Sequence, residues 1–177
     1  MPPDTELTAL RLRAQSRLAI ELVYAGDDDR RRAREITAHT TEEARRLHHR
    51  CGEAPALADA LHARRIALWD PRHLRERLSV SRELISLGRQ GGSPEAELEG
   101  RHWHFVDLLE AGDLRRARAE LDAYAELAGT RRIPSWRWYV PLWRSSLARG
   151  ETRAHLRAAR AWLSSPALLR FSACSAR

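Results

Sequence analysis

The chain has 177 residues, 43% hydrophobic and 31% charged, which is enough apolar material for one ordinary domain or a short repeat array. All 31 basic residues are arginine and the formal net charge is +7; with no lysine, a phosphate loop of the Gly-x-x-x-x-Gly-Lys-Ser/Thr type is excluded. Cys51 and Cys174, the only cysteines, form neither a disulfide framework nor a zinc set, and they fit a reducing, cytoplasmic setting.

Ala, Leu, Arg and Glu dominate, and no strand-like alternation is flanked by Asn-Gly or Asp-Gly turns, so the expected fold class is all-α. The N-terminus lacks the apolar stretch of a signal peptide, and no run approaches the roughly 18 apolar residues of a membrane span. The first helix starts at Pro2-Pro3-Asp4, with Leu7, Leu10, Ala14, Leu18 and Leu22 as its expected buried stripe. Gly26 ends it. Asp27-Asp28-Asp29 then open a second helix that closes on Arg45-Arg46-Leu47-His48-His49-Arg50, acid at the start and base at the end, as the helix dipole favours. Its expected buried face is Ala33, Ile36, Thr40, Ala44 and Leu47. Gly52 suits a left-handed C-terminal stop.

A third helix is expected over 55–69, with Leu57, Leu61, Arg64 and Leu68 on one side. Asp70-Pro71 caps a fourth helix that carries Leu74, Leu78, Val80, Leu84, Ile85 and Leu87. After Gly91-Gly92, Ser93-Pro94 caps a fifth helix with Trp103, Phe105, Val106, Leu108 and Leu109 on a wide stripe. Gly112 breaks it and Asp113 caps a sixth. There Leu114, Ala117, Leu121, Tyr124 and Ala128 follow the 3.6-residue period closely. Gly100, Ala111 and Ala117 are small enough to let these two helices approach. A seventh helix from Pro134 holds Trp136, Tyr139, Val140, Trp143 and Leu147 at helical spacing, with Pro141 inside it. An eighth follows Gly150, and residues 166–177 have no clear period.

The turns recur. Within helix pairs they fall near Gly26, Pro71, Gly112 and Gly150, and between pairs near Gly52, Gly92 and Gly129. Such a spacing is the signature of an α-solenoid of about four antiparallel pairs, over about 4–50, 55–90, 94–129 and 134–163, within one repeat domain over 1–165. The stretch LLEAGDLRRARAELDAYAEL resembles a tetratricopeptide-type unit. More broadly, residues 28–152 resemble the tetratricopeptide-like helical region of large actinobacterial regulators, which join a signal-transduction ATPase to helical repeats and often to a LuxR-type DNA-binding domain. The stretches that carry this resemblance are HARRIALWDPRHLRERLSVSRELISLGRQGG, GRHWHFVDLLEAGDL and SWRWYVPLWRSSLARGE. The resemblance implies a sensor or scaffold segment of a regulator, truncated relative to the whole, without its nucleotide-binding and DNA-binding parts.

Catalytic candidates are weak. His102 and His104, two apart on a helix, point about 200° apart and do not share a metal. Glu42-Glu43 and the three aspartates read as a solvated face and as dipole compensation. No nucleophile–base–orienter set stands out, so no enzyme activity, metal or cofactor is expected. The segment around Trp136–Trp143 is the candidate binding site. Arg137, Trp138 and Arg144 are its named residues, because Trp and Arg dominate interface hot spots and Trp138 lies off the apolar stripe. The function expected is a non-catalytic module that binds a protein or peptide. The alternative is an Arg-rich nucleic-acid-binding protein, with Arg131 and Arg132 adding to the basic segment. The last helix lacks a polar cap, and an apolar edge there favours a homodimer.

Overall fold

The computed structural model describes residues 3–130 and 134–148. Among these it is all-helical, with no strand: α1 (Pro3–Leu22), α2 (Asp27–Cys51), α3 (Ala54–Ala67), a 3-10 turn (Pro71–His73), α4 (Leu74–Gly91), α5 (Pro94–Ala111), α6 (Leu114–Thr130) and α7 (Pro134–Ala148). The eighth helix and the irregular tail expected from the sequence, together with Arg131 and Arg132, lie outside the described residues. No helix among the described residues is long and apolar enough to cross a membrane.

Local chemistry explains the boundaries. The α2 C-terminus turns through Gly52 at φ 74°, in the left-handed region that costs glycine nothing, and the Gly52 N–H donates to the His48 carbonyl. Asp70 Oδ1 accepts from Arg72 N–H at 2.8 Å. Its cap starts a 3-10 turn, so α4 proper begins at Leu74, a few residues later than the Asp-Pro signal alone suggests. Ser93 accepts from Ala96 N–H at 3.3 Å, and Asp113 from Arg116 N–H at 3.0 Å.

The chain divides into two compact units, Met1–Trp103 and His104–Arg177. In the first, α1 touches both α2 and α3, α2 touches α3, and α3 touches α4. Leu12, Leu47, Leu57, Leu61, Val80 and Leu84 form the main core. Arginine pairs stitch its outside: Arg13 to Asp59 at 2.7 Å, Arg45 to both oxygens of Glu83, and Arg11 to Glu43. Such exposed pairs fix register more than they stabilise.

Two sequence expectations for this unit are corrected. The α1 stripe is the opposite one: Ala9, Leu12, Ser16, Ala19 and Val23 are buried, whereas Leu7, Leu10, Ala14 and Leu18 are exposed. Small residues at 9, 16 and 19 let the neighbouring helices come close, and close packing outweighs the larger area of the leucines. Gly100 does approach another helix, but that helix is α4. A Cβ at Gly100 would stand 2.7 Å from the Ile85 nitrogen, and one at Gly88 would stand 2.4 Å from the Glu97 nitrogen. The partners step in opposite directions along α4 and α5, so the two backbones run past each other at near contact through their glycines.

In the second unit, α6 packs on α7. Ala117, Leu121, Tyr124 and Ala128 are buried, as their period predicts. α7 continues through Pro141. Residues 104–108 of α5 are all buried, polar ones included, so burial there is wider than the stripe expected.

Candidate functional site

The aromatic residues of α7 separate into an inner and an outer set. Trp143 is buried. It stacks on Phe105 with centroids 4.5 Å apart and on Tyr139 at 5.1 Å, and it meets Tyr124 at 5.2 Å. The Tyr124 hydroxyl donates to the Trp136 carbonyl at 2.9 Å, which satisfies the polar tip of a buried ring and ties α6 to the first turn of α7. Trp138 sits off this stripe and is 59% exposed, edge-on to Tyr139 at 5.8 Å.

Arg137 and Arg144 are seven residues apart, two turns of α7, so they share a face. Both are exposed and both line an open groove of about 480 Å³. Asp122 and Glu126, four apart on α6, line it too, together with Ala128, Gly129 and Pro141. The Arg144 guanidinium stands 3.9 Å from Asp122, a loose surface pair worth little. Pro141 has no N–H, so the helical bond to the Arg137 carbonyl is not made, and that acceptor belongs to the same stretch of α7. The structure therefore brings Arg137 and Arg144 into one groove and leaves Trp138 outside its lining. The groove thus carries carboxylates on α6 and guanidiniums on α7.

Within the first unit is a second polar cluster. The Arg65 side chain, 1% exposed, lies over the Trp103 ring at 3.9 Å and over Trp69 at 4.4 Å, and these two rings meet edge-on at 5.5 Å. Arg77, equally buried, is 6.0 Å from Trp69. Glu99 Oε1 accepts from the Trp103 indole N–H at 2.6 Å and lies 2.9 Å from His62 Nδ1. Burial pushes the Glu99 carboxyl up, but His62, His102 and the indole N–H together outweigh it and hold its pKa at about 2. His102, edge-on to Trp103 at 4.6 Å, goes the other way. Burial lowers it to about 4, Arg65 and His62 add to that, and Glu99 only partly offsets it. At neutral pH the cluster thus holds an ionised glutamate and a neutral histidine.

The sequence pattern puts Arg64 on the buried stripe of α3. Arg64 instead reaches Glu76 at 2.6 Å, and its neighbour Arg65 goes inside. The signal was there: Leu57, Leu61, Arg65 and Trp69 form an unbroken series at four-residue steps, and an Arg four residues before a Trp makes a stacking pair on a helix. Among the described residues no three His, Cys, Asp or Glu side chains are grouped to hold a metal ion. The charge balance is also resolved by position. Residues 3–130 and 134–148 hold 23 arginines and 23 acids, so the net +7 lies in Arg131, Arg132 and the stretch 149–177. No protein-family model, curated protein or solved structure matches the chain.

Proposed function

We propose that the chain is a non-catalytic helical-repeat interaction module, a tetratricopeptide-like α-solenoid of antiparallel helix pairs, serving as the sensor or scaffold segment of a transcriptional or signalling regulator. The observation that carries the reading is the α6–α7 face, where Arg137 and Arg144 line one groove and Trp138 stands exposed beside it. Trp and Arg are the residue types that supply most interface energy. A protein or peptide segment with carboxylates for the two arginines and an apolar side chain for Trp138 fits it.

The solenoid reading draws support from the contact order of the first unit. α1 touches its neighbour-but-one α3 as well as α2, as stacked helix pairs do. Ties between α1 and α2 step in opposite directions, Arg11 to Glu43 and Thr40 to Gln15. The nucleic-acid alternative rests on charge outside the described residues, which are themselves balanced.

The test is affinity capture from native lysate, with and without nuclease, read by quantitative mass spectrometry. A stoichiometric protein that survives nuclease supports the interaction module. Partners that disappear with nuclease favour the nucleic-acid reading, and an eluate of chaperones alone counts against both.

A further inference from the structure

α4 carries a row of arginines on its outer face. Arg75, Ser79, Arg82, Ser86 and Arg89 follow one another at steps of four and three residues, and all five are exposed. They fall within about 80° of the helix circumference and extend over roughly 21 Å of its length. The described residues balance in total charge, but not along this row, because the acids that flank it are held by arginines from elsewhere. Glu76 and Glu83 each follow a row arginine by one residue and so turn about 100° away from it. Glu76 meets Arg64 of α3 at 2.6 Å, and Glu83 meets Arg45 of α2 at 2.6 Å. Glu97 of α5 holds Arg101 at 2.8 Å as well as Arg89 at 2.9 Å, so it stays paired when Arg89, 59% exposed, turns outward. Arg75 and Arg82 have no acidic partner among the described residues; Arg82 Nε donates to the Leu78 carbonyl at 2.9 Å, which leaves its two terminal amino groups unbonded.

The serines add donors. A helical serine often donates back to the carbonyl four residues earlier, and the buried Ser16 and Ser81 do so at 2.9 Å. Ser79 and Ser86 make no such bond. Ser86 Oγ accepts from Gln90 at 3.1 Å, so both hydroxyls keep a proton for an outside oxygen.

The row thus offers positive charge and hydrogen-bond donors and nothing apolar. Among the described residues the exposed large hydrophobics are Leu7, Leu10, Leu18, Tyr24 and Trp138, none of them on α4. A packed protein partner needs an apolar centre. A lipid surface needs an apolar helix face turned toward it, and that of α4, Val80, Leu84 and Leu87, is buried in the core. Guanidiniums and hydroxyls are the groups that meet phosphate oxygens, and a stiff duplex presents those oxygens in a row with no strand left to order.

We infer that the outer face of α4 docks on the phosphate backbone of a nucleic-acid duplex, without reading its sequence, through Arg75, Arg82 and Arg89 and the hydroxyls of Ser79 and Ser86 between them. It is a different surface from the α6–α7 groove and stands independently of the function proposed for that groove. About three phosphate contacts give weak binding, with a dissociation constant on the order of 10–100 µM at physiological salt.

Fluorescence anisotropy of a labelled, mixed-sequence DNA duplex of about 20 base pairs, titrated with the full chain between about 50 and 200 mM salt, tests this. The parent is expected to bind, and Arg75→Gln/Arg82→Gln/Arg89→Gln to bind about tenfold or more weakly, with the salt slope reduced by about 2–3. Because Arg131, Arg132 and the stretch 149–177 also carry positive charge, the control is Arg32→Gln/Arg115→Gln/Arg118→Gln, which removes the same three charges from exposed helix positions off the row and should weaken binding less than about threefold. Unchanged helical spectra and melting temperatures show that both triple variants fold. A parent that does not bind at the lowest salt, equal losses in the two triple variants, or an unchanged slope in the first overturns the inference. A poly-glutamate peptide of equal charge that binds more tightly than the duplex, and is lost on the same row variant, overturns the choice of phosphate and assigns the row to an acidic protein.

Discussion

Replacing Gly88 by alanine sets two effects against each other, and geometry decides the sign. Inside an unobstructed helix the change stabilises by about 1 kcal/mol, because glycine loses more backbone freedom on folding. Here the added Cβ would stand 2.4 Å from the Glu97 nitrogen and 2.8 Å from its Cα, where ordinary contact begins at 3.4 Å. The obstacle is backbone, so α4 and α5 must part by about 1 Å, a gap that forfeits up to half of the dispersion energy of each atom pair across it. Overpacking of this kind costs about 1–3 kcal/mol, occasionally more. The Gly100 crossing beside it is nearly as tight, at 2.7 Å from the Ile85 nitrogen, so it cannot absorb the shift. Because the obstacle is backbone, the cost lies at the upper end of that range, and against the gain of about 1 kcal/mol the net expectation is a loss of about 2 kcal/mol, a fall in melting temperature of about 4–8 °C for a chain of this size. Gly129→Ala is the control. It lies in α6 with nothing within 4 Å of its Cβ position, so the same substitution there stabilises by up to about 1 kcal/mol. Thermal and urea unfolding followed by circular dichroism measure both. A Gly88→Ala chain that melts at or above the parent would refute the close crossing.

Two further predictions concern stability. His102 has a folded pKa of about 4 against an ordinary 6.5, so between those values the unfolded chain binds a proton that the folded chain refuses. Stability is therefore full above about pH 6.5 and declines by up to about 3 kcal/mol as the pH falls toward 4. Glu99, lowered to about 2, contributes stability above its ordinary 4.5 that is lost only below that value, as the pH falls toward 2. Urea midpoints measured across this range should flatten between pH 6.5 and 4 in His102→Gln, and an unchanged slope would contradict the assignment. Asp113→Ala removes the acceptor of the Arg116 N–H at the start of α6 and should cost about 1 kcal/mol in the same unfolding assay; Asp113→Asn should recover most of it, and an alanine variant as stable as the parent would count against the cap.

Where local chemistry decides, the sequence was readable. The Ala117–Leu121–Tyr124–Ala128 period, the caps at Asp70, Ser93 and Asp113, and the left-handed glycine at 52 all depend on residues within one turn of each other. Trp138 off the α7 stripe was legible for the same reason. The α1 orientation was not, because that helix is apolar on both faces and hydrophobic size favoured the leucines over the small residues that pack. The four-residue spacing of Arg65 and Trp69 is legible, but the second ring over Arg65, Trp103, is distant in sequence, and arginine is ordinarily read as surface. The α4–α5 crossing depends on two glycines on different helices, and nothing local says that Gly88 faces Glu97 while Gly100 faces Ile85. The α6–α7 groove lies between these cases: the two arginines were foreseen, but their carboxylate counterparts Asp122 and Glu126 emerge only when the helices are side by side.

The most direct test of the α6–α7 reading compares capture by the parent chain with capture by Trp138→Ala and Arg137→Ala chains, from the same lysate and by quantitative mass spectrometry. Both side chains are exposed, so neither change should alter folding, and unchanged melting curves serve as the check. The account predicts one or a few nuclease-resistant proteins enriched by the parent and depleted about tenfold or more by each variant, the loss expected for an interface anchor. The same proteins retained at parent levels by both variants would contradict it.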